Sequence, residues 1–168
     1  ATEFAMSTLR PFDKDLDKSS PNRNIVPLTT EIDSEEKICI GGCSLTNLAE
    51  KYGTPLYVLD ELTIRKSCKE YSESLSKYYP GKSMAVYASK ANSSLAISNI
   101  IASEGLGIDV VSEGELITAL KGGVPSKRIV FHGNNKSYSE LKLAYDNDVI
   151  IVLDNQNDID NLVKITSQ

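Results

Sequence analysis

The stretch GIDVVSEGELITALKGGVPSKRIVFHG at residues 107–133 contains one complete unit of an α/β fold. It begins with a β-branched apolar run, continues with a helical pattern from Ser112, and ends after Gly122 and Gly123 with a second β-branched run. Ser112 followed three residues later by Glu115 is a capping-box pattern, and glycines are typical of a helix C-terminus. This order predicts two parallel strands joined by a crossover helix.

The same alternation extends to both sides of this unit. Apolar runs begin 21 to 24 residues apart, and each interval has room for one helix. A second capping box, at Ser137 and Glu140, starts a further helix, and Asn157 is the predicted cap of the last one. The predicted strands are SMAVYA at 83–88, GIDVVS at 107–112, RIVFHG at 128–133 and VIIVLD at 149–154.

Four β/α units in tandem suit either an open, doubly wound sheet or half of a (β/α)8 barrel. Gly105 and Gly107 precede a strand, whereas the glycines of a dinucleotide-binding loop follow one, so the barrel half is favoured. In a barrel the active site lies at the carboxyl ends of the strands. The candidate site residues are therefore the polar ones just past the predicted strands: Lys90, Asn92, Ser112, Glu113, His132, Asn134, Asn135 and Asp154.

The first 60 residues are organised differently. ATEFA before Met6 resembles a vector remnant, and the absence of periodicity up to residue 36 predicts an irregular N-terminal arm. The predicted domains are this arm at 1–36, a strand–helix–strand segment at 37–60 and the half barrel at 61–168. The elements predicted ahead of the barrel strands are a strand at 37–42, a helix at 44–53, a strand at 55–60 and a long helix from Glu61 to about Tyr78.

Composition limits the classes of function. The chain has 168 residues, a formal net charge of −5 and no block of Lys and Arg, so neither a nucleic-acid nor an anionic membrane surface is indicated. No apolar run approaches the roughly 18 residues of a membrane span, and the expected location is the cytoplasm. Cys39, Cys43 and Cys68 are too few for a disulfide framework, and C-x3-C with one distant His132 is a weak metal pattern. No metal site is predicted.

Lys90 closes the first barrel strand within MAVYASKAN at 84–92. At the rim of a barrel and among apolar neighbours, its amine would be partly desolvated, which favours the uncharged nucleophile. The same position also suits a lysine that only solvates the end of the strand. Periodicity alone leaves both interpretations open.

Three motifs, in order along the chain, resemble those of the fold-type III pyridoxal-phosphate (PLP) decarboxylases. They are YASKAN at 87–92, GLGIDVVSEGEL at 105–116 and FHGNNKS at 131–137. Together with IGGCSLTNLAEKYGTPLYVLDE at 40–61, they are most similar to the diaminopimelate decarboxylase branch of that family. The resemblance implies an α/β chain that forms the N-terminal half of a (β/α)8 barrel of the alanine racemase-like type.

The resemblance also implies roles for individual residues. Lys90 would hold PLP through an imine and act as the catalytic residue, and Asp109 would lie near Lys90 and the cofactor. His132 would line the cofactor pocket. In the alternative interpretation, Asp109 is a residue at a strand start held by local backbone N–H groups, and His132 is a half-buried packing residue. Three further motif residues are interpreted as structural: Glu115, Asn135 and Lys136.

For the whole protein, the resemblance implies PLP-dependent decarboxylation of meso-2,6-diaminopimelate to L-lysine, the last step of lysine biosynthesis, by a homodimer. The alternatives are a decarboxylase of another basic amino acid, such as ornithine or arginine, and a non-catalytic protein that binds PLP. Phosphate-binding loops and a C-terminal β-domain are expected outside these residues, so the chain alone is expected to be inactive. A half barrel leaves two sheet edges and an inner face open, which predicts that the chain either self-associates or is a proteolytic remnant of a longer protein.

Overall fold

The computed structural model of the chain describes residues 25–167, which divide into two compact units with a boundary between Lys66 and Ser67. In the first unit, three short strands form an antiparallel sheet in the order β1–β2–β3. Ser44 caps the helix that follows, accepting a hydrogen bond from the Asn47 N–H. The elements are β1 Glu31–Ile32, β2 Ile38–Ile40, β3 Cys43–Ser44 and α1 Leu45–Tyr52.

The strand predicted at 37–42 and the helix predicted at 44–53 are confirmed as β2 and α1. The irregular arm predicted at 1–36 lies outside the described residues up to residue 24, and its last part includes β1.

The strand predicted at 55–60 is wrong, because the structure assigns no strand to these residues. Tyr57 is 96% exposed, so the apolar run has no surface to pack against. Such a run becomes a strand only where a neighbouring strand pairs with it. Asp60 at its end instead starts α2, Glu61–Tyr78, by accepting a hydrogen bond from the Thr63 N–H at 3.1 Å. The bounds of α2 are those predicted.

The second unit contains four parallel strands in the order β4–β5–β6–β7, each followed by a helix. The strands are β4 Val86–Ala88, β5 Gly107–Val110, β6 Ile129–Phe131 and β7 Ile150–Ile151. The helices are α3 Leu95–Ser103, α4 Glu113–Lys121, α5 Tyr138–Asp146 and α6 Gln156–Thr166. A doubly wound sheet reverses its strand order at a switch point, whereas this order runs without reversal, as in a barrel. The predicted α/β fold with a parallel sheet is confirmed.

The core of this unit lies on one face of the sheet. Ile108, Val110, Ile129 and Phe131 alternate along β5 and β6 and are at most 1% exposed. They form one cluster with Leu116 and Ala119 of α4 and Ala144 of α5. Since side chains alternate along a strand, the residues between them point away from the helices.

The opposite face of the sheet carries Asp109 and Val130, which are register partners, together with Val86 and Ile150. Val86 is 38% exposed and Ile150 46% exposed. The helices therefore cover one face only, and the other face corresponds to the inside of a barrel.

The helix starts agree with the predicted caps in part. The capping box at Ser137 and Glu140 is confirmed. Ser112 accepts a hydrogen bond from the Glu115 N–H at 3.3 Å, while the Glu115 carboxylate accepts one from the Val111 N–H at 2.7 Å, one residue before the cap. Glu115 is thus structural, as predicted.

The cap predicted at Asn157 is wrong. Helix α6 begins at Gln156, and the extended Asn155 caps it by accepting a hydrogen bond from the Asp158 N–H at 3.1 Å. The earlier start places Asp158 in the first turn, where a carboxylate interacts favourably with the helix dipole.

Candidate functional site

A cleft of about 550 Å³ lies at the carboxyl ends of the parallel strands. Its lining residues follow four strands in turn: Lys90 after β4, Val111 after β5, His132, Gly133, Asn134 and Asn135 after β6, and Asp154 after β7. This is the edge of a parallel α/β sheet at which active sites form. The structure thus brings together five of the rim residues named from the sequence.

The other three rim residues, Asn92, Ser112 and Glu113, are not among the residues that line the cleft. Asn92 accepts a hydrogen bond from the Ser94 N–H at 3.0 Å, and Ser112 caps α4. The Glu113 N–H donates to Glu140 Oε1 at 3.1 Å. Their contacts are those of loop and helix-start residues.

Lys90 lies in a 3₁₀ turn, Ser89–Ala91, directly after β4. Its side chain is exposed, so the partial desolvation expected from its apolar neighbours is not found. A primary amine at the wall of a cleft is nonetheless placed to react with an electrophile that enters it.

Asp109 lies in β5 between the buried residues Ile108 and Val110, so its side chain points to the uncovered face. Its register partner on β4 is Ala88, two residues before Lys90. The Oδ1 atom is buried and has no hydrogen-bond partner among the described residues. The alternative that local backbone N–H groups hold this oxygen therefore does not apply. An unpaired buried oxygen is costly, and the position suits a group that approaches the inner face.

His132 continues the ladder between β5 and β6, because its backbone N–H donates to the Val110 carbonyl at 2.8 Å. Its side chain is exposed and lines the cleft. The alternative of a half-buried packing histidine does not fit this position.

Gly133 makes the turn from β6 into the cleft loop. Its φ of +107° is a conformation that residues with a Cβ rarely adopt. A Cβ placed here would lie 3.5 Å from the Val111 carbonyl oxygen, on the neighbouring wall of the cleft. The glycine is therefore required by the loop conformation.

A buried ion pair lies behind the cleft loops. The amine of Lys136 and Oδ2 of Asp158 are 2.7 Å apart, and the two residues are 3% and 0% exposed. Burial raises the pKa of Asp158, but the hydrogen bond from Lys136 and backbone N–H bonds outweigh it and leave that pKa below its ordinary value. No sequence pattern pointed to Asp158, because an acidic residue in a first helical turn is ordinary.

Within residues 25–167, no helix is long and apolar enough to cross a membrane. The same residues include no group of three or more His, Cys, Asp or Glu side chains arranged to hold a metal ion.

Comparison with known families gives a match that covers the whole second unit and the last residues of the first. The family model described as pyridoxal-dependent decarboxylase, pyridoxal binding domain, matches residues 61–168. Diaminopimelate decarboxylase of Synechocystis is 44% identical over 156 residues, which are 88% of this chain and 33% of that protein. The enzyme of that name from Bacillus subtilis is 49% identical over 117 residues, 69% of this chain and 26% of the relative.

Solved structures give the same result. The diaminopimelate decarboxylase of M. jannaschii in complex with L-lysine superposes with a TM-score of 0.77 and 37% identity, over 83% of this chain and 33% of that one. A Chlorella virus arginine decarboxylase, at 20% identity and a TM-score of 0.51 over 60% of this chain and 27% of that one, shares the fold. The chain spans about a third of the length of the relatives it matches.

Proposed function

Because the chain belongs to the family of pyridoxal-dependent decarboxylases, we propose that it is the cofactor-binding part of a diaminopimelate decarboxylase. The whole protein would convert meso-2,6-diaminopimelate to L-lysine and CO2. The observation that carries the proposal is the cleft at the strand ends, in which the side chains of Lys90 and His132 line one space. Named relatives at 39 to 49% identity support the choice of substrate.

The residues of this face fit the reactive end of PLP. Lys90 offers a primary amine, the group that condenses with an aldehyde. Asp109 offers a buried oxygen without a partner among the described residues, on the sheet face next to the strand that ends in Lys90. When bound, PLP supplies an electron sink for the carbon atom that loses CO2.

Each residue then has a separate part. The Lys90 amine attaches the cofactor and holds a proton at Nζ. The Asp109 carboxylate stabilises a protonated nitrogen close to it, since an opposite charge favours the charged form. His132 forms one wall of the pocket, at a position fixed by its backbone hydrogen bond to Val110. Asn134, Asn135 and Asp154 give the rim polar groups that can orient an amino-acid substrate.

Another basic amino acid is a less favoured substrate. The arginine decarboxylase and a lysine/ornithine decarboxylase of Vibrio vulnificus are only 20 to 21% identical to this chain. At this identity the similarity shows the fold alone. The homodimeric assembly and cytoplasmic location implied by the resemblance stay predictions.

The proposal is tested by adding PLP to the chain and recording its absorbance. We expect a new band near the visible edge that Lys90→Ala removes and that Lys82→Ala retains. Lys82 is a matched control, because it is also exposed and precedes the same strand at its opposite end. A band that survives in Lys90→Ala, or no band in any of the three proteins, would reject the proposed role of this cleft.

A further inference from the structure

Two loops that form the wall of the cleft are joined behind it by buried charges. Lys136 follows the cleft residues of the β6 loop, and Asp158 lies in the first turn of α6, which follows Asp154 of the β7 loop. Their ion pair, at 2.7 Å, is inaccessible to solvent. We propose that the Lys136–Asp158 pair is a positioning element that sets the wall of the PLP cleft, an inference whose ligand rests on the proposed function.

Each partner of the pair also holds the backbone of a cleft residue. The Lys136 amine donates to the carbonyl of Gly133. Asp158 Oδ2 accepts a hydrogen bond from the Asp154 N–H at 3.1 Å. One ion pair therefore fixes the main chain on both sides of the cleft wall.

A second set of hydrogen bonds joins the loop after β6 to the start of α6. The Asn155 side chain donates to the Asn134 carbonyl at 3.1 Å and accepts from the Asp158 N–H at 3.1 Å. The loop after β6 and the start of α6 are thus joined at two points. Buried polar networks of this kind hold one arrangement in preference to others.

Stability alone does not explain why this ion pair is buried. Burying two charges costs desolvation energy that their attraction only partly returns. Asp158 Oδ1 is also buried, with no hydrogen-bond partner in the described part of the chain. Because this oxygen stays unpaired beside a candidate site, the ion pair is better explained by the positions in which it holds the neighbouring loops.

Lys136 and Asp158 are not catalytic residues. Neither lines the cleft, and neither is accessible from it. Their effect on PLP must therefore pass through the positions of Gly133 and Asp154.

The test is the double variant Lys136→Met with Asp158→Asn. It removes both charges together, and the amide oxygen of the new side chain can still accept the Asp154 N–H. The control is Lys142→Met with Asp146→Asn, which removes a Lys–Asp pair of similar length, 2.9 Å, that is about half exposed on α5. Backbone hydrogen exchange is measured without ligand at Asp154 and Asp158, whose N–H groups donate to Asp158 Oδ2 and Asn155 Oδ1. PLP affinity is then measured by titration.

We expect exchange at these two amides to be at least about tenfold faster in the test variant, because the two segments are no longer held together by the ion pair. PLP affinity should fall about tenfold or more, since small misplacements near a reactive centre have effects of this size. The control variant should match the unsubstituted chain in both measurements. Unchanged exchange at the two amides, or unchanged PLP affinity in a test variant that is folded, would overturn the inference.

Two further outcomes need separate treatment: a double variant that does not fold, and an unsubstituted chain that binds no PLP. If the double variant does not fold, Asp158→Glu retains the charge pair but lengthens it by one methylene. It should fold and still bind PLP more weakly, whereas unaltered affinity would leave the pair a purely structural role and overturn the inference. If the unsubstituted chain binds no PLP, the proposed function fails, while the exchange result still decides whether the pair fixes the loops.

Discussion

Replacing Asp109 by valine should stabilise the chain while weakening its binding of PLP. In the absence of ligand, the buried Oδ1 of Asp109 has no hydrogen-bond partner among residues 25–167. Leaving a buried polar atom unpaired costs about 1 to 3 kcal/mol. Asp109 as a whole is only half-buried, so we take the lower end of that range and expect the free energy of unfolding to rise by about 1 kcal/mol.

The neighbours of Asp109 favour the replacement. Its register partners are Ala88 and Val130, so a valine would lie between small apolar residues on the same face. Valine also suits a strand, where β-branched side chains are preferred.

The assay is urea unfolding without PLP, followed by titration with PLP. Asp109→Asn is the matched control, because it keeps the shape and an unpaired oxygen but loses the charge. Its stability should stay within about 0.5 kcal/mol of the unsubstituted chain, the usual range for a change that breaks no contact. Both variants should bind PLP more weakly. If Asp109→Val instead lowers the free energy of unfolding by about 1 kcal/mol or more, the carboxylate has a stabilising partner and is not an unpaired buried group.

Three further predictions concern the surroundings of the cleft. Lys136→Met should lower the free energy of unfolding by about 3 to 5 kcal/mol, because it leaves the charge of Asp158 buried and unpaired. Lys142→Met, at an exposed pair, should lower it by at most about 1 kcal/mol, and equal losses in urea unfolding would contradict the burial of the first pair. Gly133→Ala should destabilise the chain by about 1 to 2 kcal/mol because of its positive φ. Gly114→Ala, in open space within α4, should stabilise the chain by about 0.5 to 1 kcal/mol. Equal melting temperatures for Gly133→Ala and Gly114→Ala would refute this difference. Burial raises the pKa of Glu140, but hydrogen bonds from Ser137 and Glu113 outweigh it and leave that pKa below its ordinary value. Because the folded pKa is the lower one, the contribution of Glu140 to stability is complete above the unfolded pKa of about 4.3 and is lost as the pH falls below it. Glu140→Gln should flatten the pH dependence of the melting temperature in this window, and an unchanged slope would exclude the effect.

Local patterns were sufficient to predict the parallel sheet. The apolar runs around Ile108 and Ile129 are bounded by caps and glycines that lie within a few residues, so the alternation of strand and helix is clear along the chain. The capping box at Ser137 has the same local origin. The strand predicted around Tyr57 failed because pairing depends on a distant neighbour, which no local pattern reveals.

Part of the candidate site was also predictable from the sequence. Lys90 and His132 stand at strand ends, and the topology of a parallel sheet brings such residues together. No local pattern indicated that Lys90 is exposed, and the pair between Lys136 and Asp158 joins residues 22 positions apart through a fold that must form first. Lys136 lies in one of the motifs noted in the sequence, whereas no sequence pattern identified Asp158.

The proposed function requires that PLP attaches to Lys90 in the cleft at the carboxyl ends of β4 to β7. The most direct test is to reduce the PLP complex with borohydride, digest the protein and locate the modified residue by mass spectrometry. We predict stoichiometric modification of the peptide that contains Lys90, and no modification of Lys82 or Lys136. Modification spread over several exposed lysines, or none at Lys90, would exclude Lys90 as the attachment site.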